Sequence, residues 1–143
     1  MDHNGFHGFG HWMRVLHNGR LLANAENGNL KVVELFCLLH DTRRLNEDED
    51  PLHGRRAANF AQTLRGVWFD VSGDEMDLLS EALTYHSDGY TVGDITVKVC
   101  WDADRLDLGR VGIRPAPERL CTNTAKSPFV LEEAYQRSLE NRL

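Results

Sequence analysis

Hydrophobic positions along this chain recur every three to four residues, the spacing that places side chains on one face of a helix. In residues 10–25, Val15 and Leu22, with Trp12 beside them, form an apolar side, and Asn27-Gly28 supplies a stop. Asn29 is suited to cap the next helix, in which Val32, Val33, Leu35, Phe36 and Leu39 lead to His40. The acidic run Glu47 to Asp50, followed by Pro51, marks a junction. A third helix is expected over residues 51–64, with Ala57, Phe60, Ala61 and Leu64 inward. Ser72-Gly73-Asp74 opens a fourth, carrying Met76, Leu79, Ala82 and Leu83 at helical spacing, and Ser87-Asp88-Gly89 ends it.

Residues 94–106 are harder to read. Ile95 to Val99 alternate as a strand does, but Val97, Cys100, Trp101 and Leu108 also fit a helical stripe, and the stripe favours a helix. Gly109 to Pro117 is turn-rich. Ser127-Pro128 starts a last helix over residues 128–141, anchored by Phe129, Leu131 and Tyr135. The expectation is one all-α domain of five to six helices spanning residues 1–143.

Composition narrows the function classes. The chain has 143 residues, 41% of them hydrophobic, enough for a core without covalent staples. Its net charge of −6 argues against binding a nucleic-acid duplex, which calls for clustered Lys and Arg. Cys37, Cys100 and Cys121 form no CxxC pair, and the first two lie in apolar runs as small core residues. No run approaches the ~20 apolar residues of a membrane span. Met1-Asp2-His3-Asn4 lacks the features of a secretion signal, so a cytoplasmic location is expected. Oligomeric state is open.

The informative feature is where polar residues fall on the apolar stripes. His11 precedes Val15 by four residues and Leu22 by eleven; His40 follows Phe36 by four and Val33 by seven. His53 leads Ala57, Phe60 and Leu64, His86 trails Leu79, Ala82 and Leu83, and Asp104 shares the stripe of Val97, Cys100 and Trp101. Five polar side chains on five helices thus point inward. A single inward histidine is more often a hydrogen-bonded core residue. Several histidines converging with carboxylates are costly to bury without a cation, and a divalent metal answers that cost.

Leu38-Leu39-His40-Asp41 resembles the His-Asp doublet of the HD superfamily, and His7-Gly8-Phe9-Gly10-His11-Trp12-Met13-Arg14-Val15 resembles its first helix. Trp101 to Asp107 is similar to its closing Asp-Arg-Leu element, so the likeness covers residues 7–110. It implies a helical metal-dependent phosphohydrolase with core ligands His11, His40, Asp41 and Asp104. Asp102 is the rival for the last place, and Asp104 is preferred because it directly precedes Arg105-Leu106. By the same resemblance His53 and His86 would hold a second ion, with Asp41 bridging, and His7 is a candidate further ligand. His53 or His86, where not a ligand, would serve as general acid or base, so His40, Asp41, His53 and His86 form the expected catalytic group. His3 and His17 match nothing in the family and are expected on the surface.

The ligand set suits one or two ions of manganese, iron, nickel, cobalt or magnesium. Arg14, Arg43, Arg44 and Lys98 are the candidate cations for substrate phosphate, with Arg55 and Arg56 also near His53. The expected substrate is a small phosphate ester or a nucleotide. Two other classes fit the same resemblance: an HD-like di-iron oxygenase using the four histidines and two aspartates, and a noncatalytic module that binds a nucleotide or a partner.

Overall fold

The computed structural model describes residues 8–42 and 52–140. His3, His7, Arg43, Arg44 and the acidic run to Pro51, singled out in the sequence, lie outside these residues. Seven α-helices follow one another among the described residues: α1 (Phe9–Glu26), α2 (Leu30–Leu39), α3 (His53–Leu64), α4 (Gly73–Tyr85), α5 (Ile95–Arg105), α6 (Asn123–Lys126) and α7 (Pro128–Glu140). Two short 3-10 turns, Leu108–Val111 and Pro117–Arg119, lie between α5 and α6. The class is all-α. The helix beyond the expected five to six is α6, a single turn too short to show a periodic pattern.

Local chemistry sets the helix ends. Asn27 ends α1 in the left-handed conformation (φ 59°), and Asn29 then caps α2 by accepting from Val32 N at 3.2 Å. Ser72 and Glu75 close a reciprocal capping box at the start of α4: Ser72 Oγ accepts from Glu75 N at 3.1 Å, and Glu75 Oε1 accepts from Ser72 N at 2.9 Å. Asp94 caps α5 through Thr96 N at 2.8 Å.

Residues 95–105 are helical, and the reason for their strand-like alternation is burial. Thr96, Val97, Val99, Cys100, Trp101, Asp102 and Ala103 are all buried, so α5 is enclosed on nearly every side and has no polar face to reveal its period. It is the central helix, packed against α1, α2 and α4, while α3 packs on α4. The core between them is filled by Leu22, Phe36, Leu79, Leu83 and Trp101, each at most 2% exposed and each worth about 1.5–3 kcal/mol of burial for an aliphatic or Phe side chain. The Trp101 indole is satisfied by donating to Ala82 O at 3.1 Å.

One anchor of the last helix is corrected. Phe129 is 73% exposed, because α7 turns Leu131, Ala134 and Ser138 inward and Phe129 stands two residues, about 200°, away from Leu131. Tyr135 is half-buried beneath the Arg114 guanidinium. No helix among the described residues is long and apolar enough to cross a membrane.

Candidate metal centre

The polar inward residues meet at one end of the bundle, and they do so because each sits at a helix terminus. His11 lies in the first turn of α1 and His53 begins α3; His40 and His86 cap the C-termini of α2 and α4. Asp41 follows in the turn after α2, and Asp104 occupies the last turn of α5. All four histidines and Asp41 are at most 4% exposed.

They form two triads, His11–His40–Asp104 and Asp41–His53–His86, with ligand atoms in each set within 4.8 Å of one another. In the first, His11 Nε2 and His40 Nε2 are 3.1 Å apart, with Asp104 Oδ1 at 3.3 and 3.4 Å from them. In the second, His53 Nε2 and His86 Nε2 are 2.8 Å apart. Asp41 faces both triads, one oxygen to each. Its Oδ2 lies 3.7 and 3.5 Å from His11 and His40, and its Oδ1 lies 3.3 and 3.6 Å from His53 and His86.

The ring partners fix which nitrogen carries the proton. His11 Nδ1 donates to Asp107 Oδ2 at 2.7 Å, His40 Nδ1 to Cys37 O at 3.1 Å, and His86 Nδ1 to Leu83 O at 2.7 Å. Carboxylate and carbonyl oxygens only accept, so each neutral ring presents a lone pair at Nε2. Lone pairs of His11 and His40 then confront each other beside a carboxylate. Asp104 Oδ1 is buried and in hydrogen-bond geometry with no described residue. Acceptors facing acceptors in a buried place call for a cation at their centre.

A divalent ion fits this requirement. Ligands at bonds of ~2.1 Å stand about 3.0–3.4 Å apart at octahedral or tetrahedral angles, near the spacings found here. The donors are imidazole and carboxylate; no thiol enters either triad. Without metal a proton takes the cation's place. Burial lowers the pKa of His40, but the adjacent Asp41 and Asp104 carboxylates outweigh it and lift it to about 9. Burial likewise pushes Asp104 upward, but the charge on His40 and the nearness of His11 hold it well below the usual carboxylate range.

Comparison with solved structures finds a similar fold. The chain matches the crystal structure of a predicted HD superfamily hydrolase from an uncultured Thermotogales bacterium, with TM-score 0.69 and 28% identity over 94% of this chain and 76% of that one. In fold this chain is similar to that predicted HD superfamily hydrolase, and its His/Asp cluster is consistent with an HD domain. No family model and no curated protein matches it. The likeness and the two triads together support a metal-dependent hydrolase of the HD kind.

Of the two neighbouring aspartates on α5, Asp104 is the one that reaches the histidines. Asp102 points away and accepts from Cys121 N at 2.8 Å and Thr122 N at 2.7 Å, tying the C-terminal segment to α5. Burial raises its pKa, a shift those two N–H groups oppose. The expected phosphate cations are placed differently. Arg14 is buried behind His11 and donates from Nε to Asp107 Oδ1 at 2.7 Å, so that nitrogen serves the scaffold. Lys98 is half-buried on α5, with no hydrogen bond or ion pair to either triad among the described residues. Arg55 is exposed and Arg56 half-buried; His17 is exposed, as expected.

Beside the triads opens a cleft of about 230 Å³, reached by His86, Ser87 and Asp104 and lined further by Arg105, Arg110 and Arg119. Sequence reasoning passed over these arginines and Asp107. Asp107 carried a signal, being three residues beyond Asp104 in a segment already read as inward-facing. Arg105 carried one too, as the neighbour of a candidate ligand. Arg119 carried none: it follows a turn-rich stretch with no period to orient it.

Proposed function

We propose that this chain is a metal-dependent phosphohydrolase acting on a small phosphate ester or nucleotide. The observation that supports this most directly is Asp41, whose two oxygens each face a different histidine pair next to a cleft lined by arginines. His11, His40 and Asp104 would hold one ion and His53 and His86 a second, with Asp41 between them. Bound divalent ions supply a water of lowered pKa and positive charge for the phosphoryl oxygens.

The chain's own residues prepare that chemistry. Asp107 and the carbonyls of Cys37 and Leu83 hold the Nδ1 protons of His11, His40 and His86, so these rings keep one tautomer and one orientation. Arg14 neutralises Asp107 from its other side. Ser87 Oγ stands 3.2 Å from His53 Nε2 at the cleft, where it is placed to take a hydrogen bond from a substrate or water. Phe36 stacks on the His40 ring with centroids 5.2 Å apart and keeps the inner side of the site dry.

The test is metal content by mass spectrometry together with hydrolysis of p-nitrophenyl phosphate and a nucleotide panel in added manganese. One or two equivalents of transition metal and phosphate release are expected. Asp41→Ala should lose metal and reduce turnover on the order of 10²–10³-fold, the scale seen when a group stabilising transition-state charge is removed. Metal-free protein that is indifferent to divalent ions would leave a binding module. A mixed-valence iron signal in EPR without phosphate release would instead identify an oxygenase.

A further inference from the structure

Three arginines, Arg105, Arg110 and Arg119, line the cleft beside the candidate metal centre, and Asp104 is the one carboxylate among its described lining residues. Arg105 leaves the last turn of α5 directly after Asp104, with its guanidinium 5.5 Å from the Trp101 ring centroid. Its Nη1 donates to Arg119 O at 3.1 Å and approaches Cys121 Sγ at 3.5 Å. Its Nη2 is buried and has no hydrogen-bond partner among the described residues. Arg119 stands exposed at the end of the second 3-10 turn, lining the same cleft. Neither side chain meets a carboxylate among the described residues. Arg110 joins them, its Nη1 donating to Asp107 O at 2.9 Å.

This is an unusual concentration for a protein of net charge −6. Arg105 and Arg119 bring like charge to one wall of the cleft, and a bound anion offsets their repulsion. The planar fork of arginine matches a phosphate. The size of the cleft limits that anion. A volume of about 230 Å³ is below the range of roughly 300–1,000 Å³ typical of pockets that enclose a drug-sized ligand. That space accommodates a compact charged group such as a phosphate.

We infer that the substrate carries a second phosphate besides the one hydrolysed, and that Arg105 and Arg119 bind this second group in the cleft beside the metal centre. The inference rests on the phosphohydrolase reading and names its substrate class: a bisphosphorylated or polyphosphorylated small molecule. Arg119, exposed and making no side-chain hydrogen bond among the described residues, gains contacts when the ligand is bound. Arg105 positions the Arg119 segment through its bond to Arg119 O and adds its charge to the cleft wall.

The test uses two probes that differ by a single phosphate, fructose 1,6-bisphosphate and fructose 6-phosphate, with manganese-loaded protein. Wild type should show kcat/KM at least ten-fold higher for the bisphosphate. Arg119→Gln should remove most of that preference, raising KM for the bisphosphate several-fold more than KM for the monophosphate. Arg105→Lys keeps a charge but loses the fork and should lie between them; because Arg105 also braces the fold, Arg119→Gln is the deciding variant. Equal kcat/KM values for the two probes, or equal losses for both in Arg119→Gln, would overturn the inference.

A second arm separates this result from failure of the phosphohydrolase reading. Calorimetric binding of the same two sugars to metal-free wild type needs no turnover. Tighter binding of the bisphosphate, weakened about ten-fold in Arg119→Gln, supports the anion cleft even if neither sugar is hydrolysed. Indistinguishable affinities, in a protein that does hydrolyse phosphate esters, would sink the cleft assignment alone.

Discussion

Asp107 supplies no atom to either triad, yet two buried side chains depend on it. One carboxylate oxygen orients His11 and the other binds Arg14, both at 2.7 Å. Asp107→Asn keeps the shape but removes the charge, so one amide must serve two donors with one acceptor oxygen. Metal affinity should fall 10–100-fold, the usual cost of losing an outer partner of a ligating histidine. A competition titration against a chelator of known affinity reads it; unchanged affinity would mean that His11 is held by packing alone. This dependence was only half legible in the sequence. The inward face of His11 could be read from Val15 and Leu22, but its partner lies 96 residues further on, and no local pattern joins the two.

At the scale of elements, the distance between the two histidines of the second triad is set by a glycine. A Cβ on Gly54 would stand 2.4 Å from Leu83 O and 2.7 Å from Thr84 O, both backbone atoms at the end of α4. Gly54→Ala must therefore push α3 away from α4, and with it His53 from His86. Overpacking of this kind costs about 1–3 kcal/mol. Urea unfolding should show that loss, and metal analysis should show the second equivalent weakened more than the first. The start of α4 offers a separate check. Ser72→Ala removes one half of the capping box and should cost about 1 kcal/mol. Glu75 forms the other half. Hydrogen bonds from the Ser72 backbone and Asn29, with Lys31 nearby, lower its folded pKa below 4.5, the value expected unfolded. Its contribution is therefore present above pH 4.5 and disappears as pH falls through the lower folded value. Glu75→Gln should flatten the acid limb of the stability curve in that window, and an unchanged limb would contradict the assignment.

For the whole molecule, the apposed acceptors make the metal-free fold a strained host for its own site. Any divalent ion that binds the folded form alone must raise stability, by about 2.7 kcal/mol at a free concentration 100 times Kd. Thermal unfolding in increasing manganese should shift upward by several degrees in wild type. The shift should vanish in Asp41→Ala, which faces both triads. Binding should also release protons, because His40 holds one up to about pH 9 in the metal-free state. Calorimetry in buffers of different ionisation enthalpy measures that release at pH 7, and zero release would show that His40 is not displaced from its proton.

The sequence by itself determined the all-α class, the boundaries of the five longer helices before residue 106, and the inward face of His11, His40, His53, His86 and Asp104, while Asp41 entered only through the resemblance. Those are local properties: a 3.6-residue period, a cap such as Asn29 or Ser72, a stop such as Asn27-Gly28. Periodicity failed where burial had no polar side to contrast with, as in α5, and where an element was a single turn, as in α6. Only the tertiary structure decided that six residues from five helices meet at one end, that Asp104 joins them while Asp102 holds a distant segment, and that Arg105 and Arg119 line the cleft. Each of these depends on how helices far apart in the chain are placed against one another. A face can be read from neighbours three and four residues away, but a contact across 96 residues exists only once the core has set the angle and distance between α1 and the segment that follows α5.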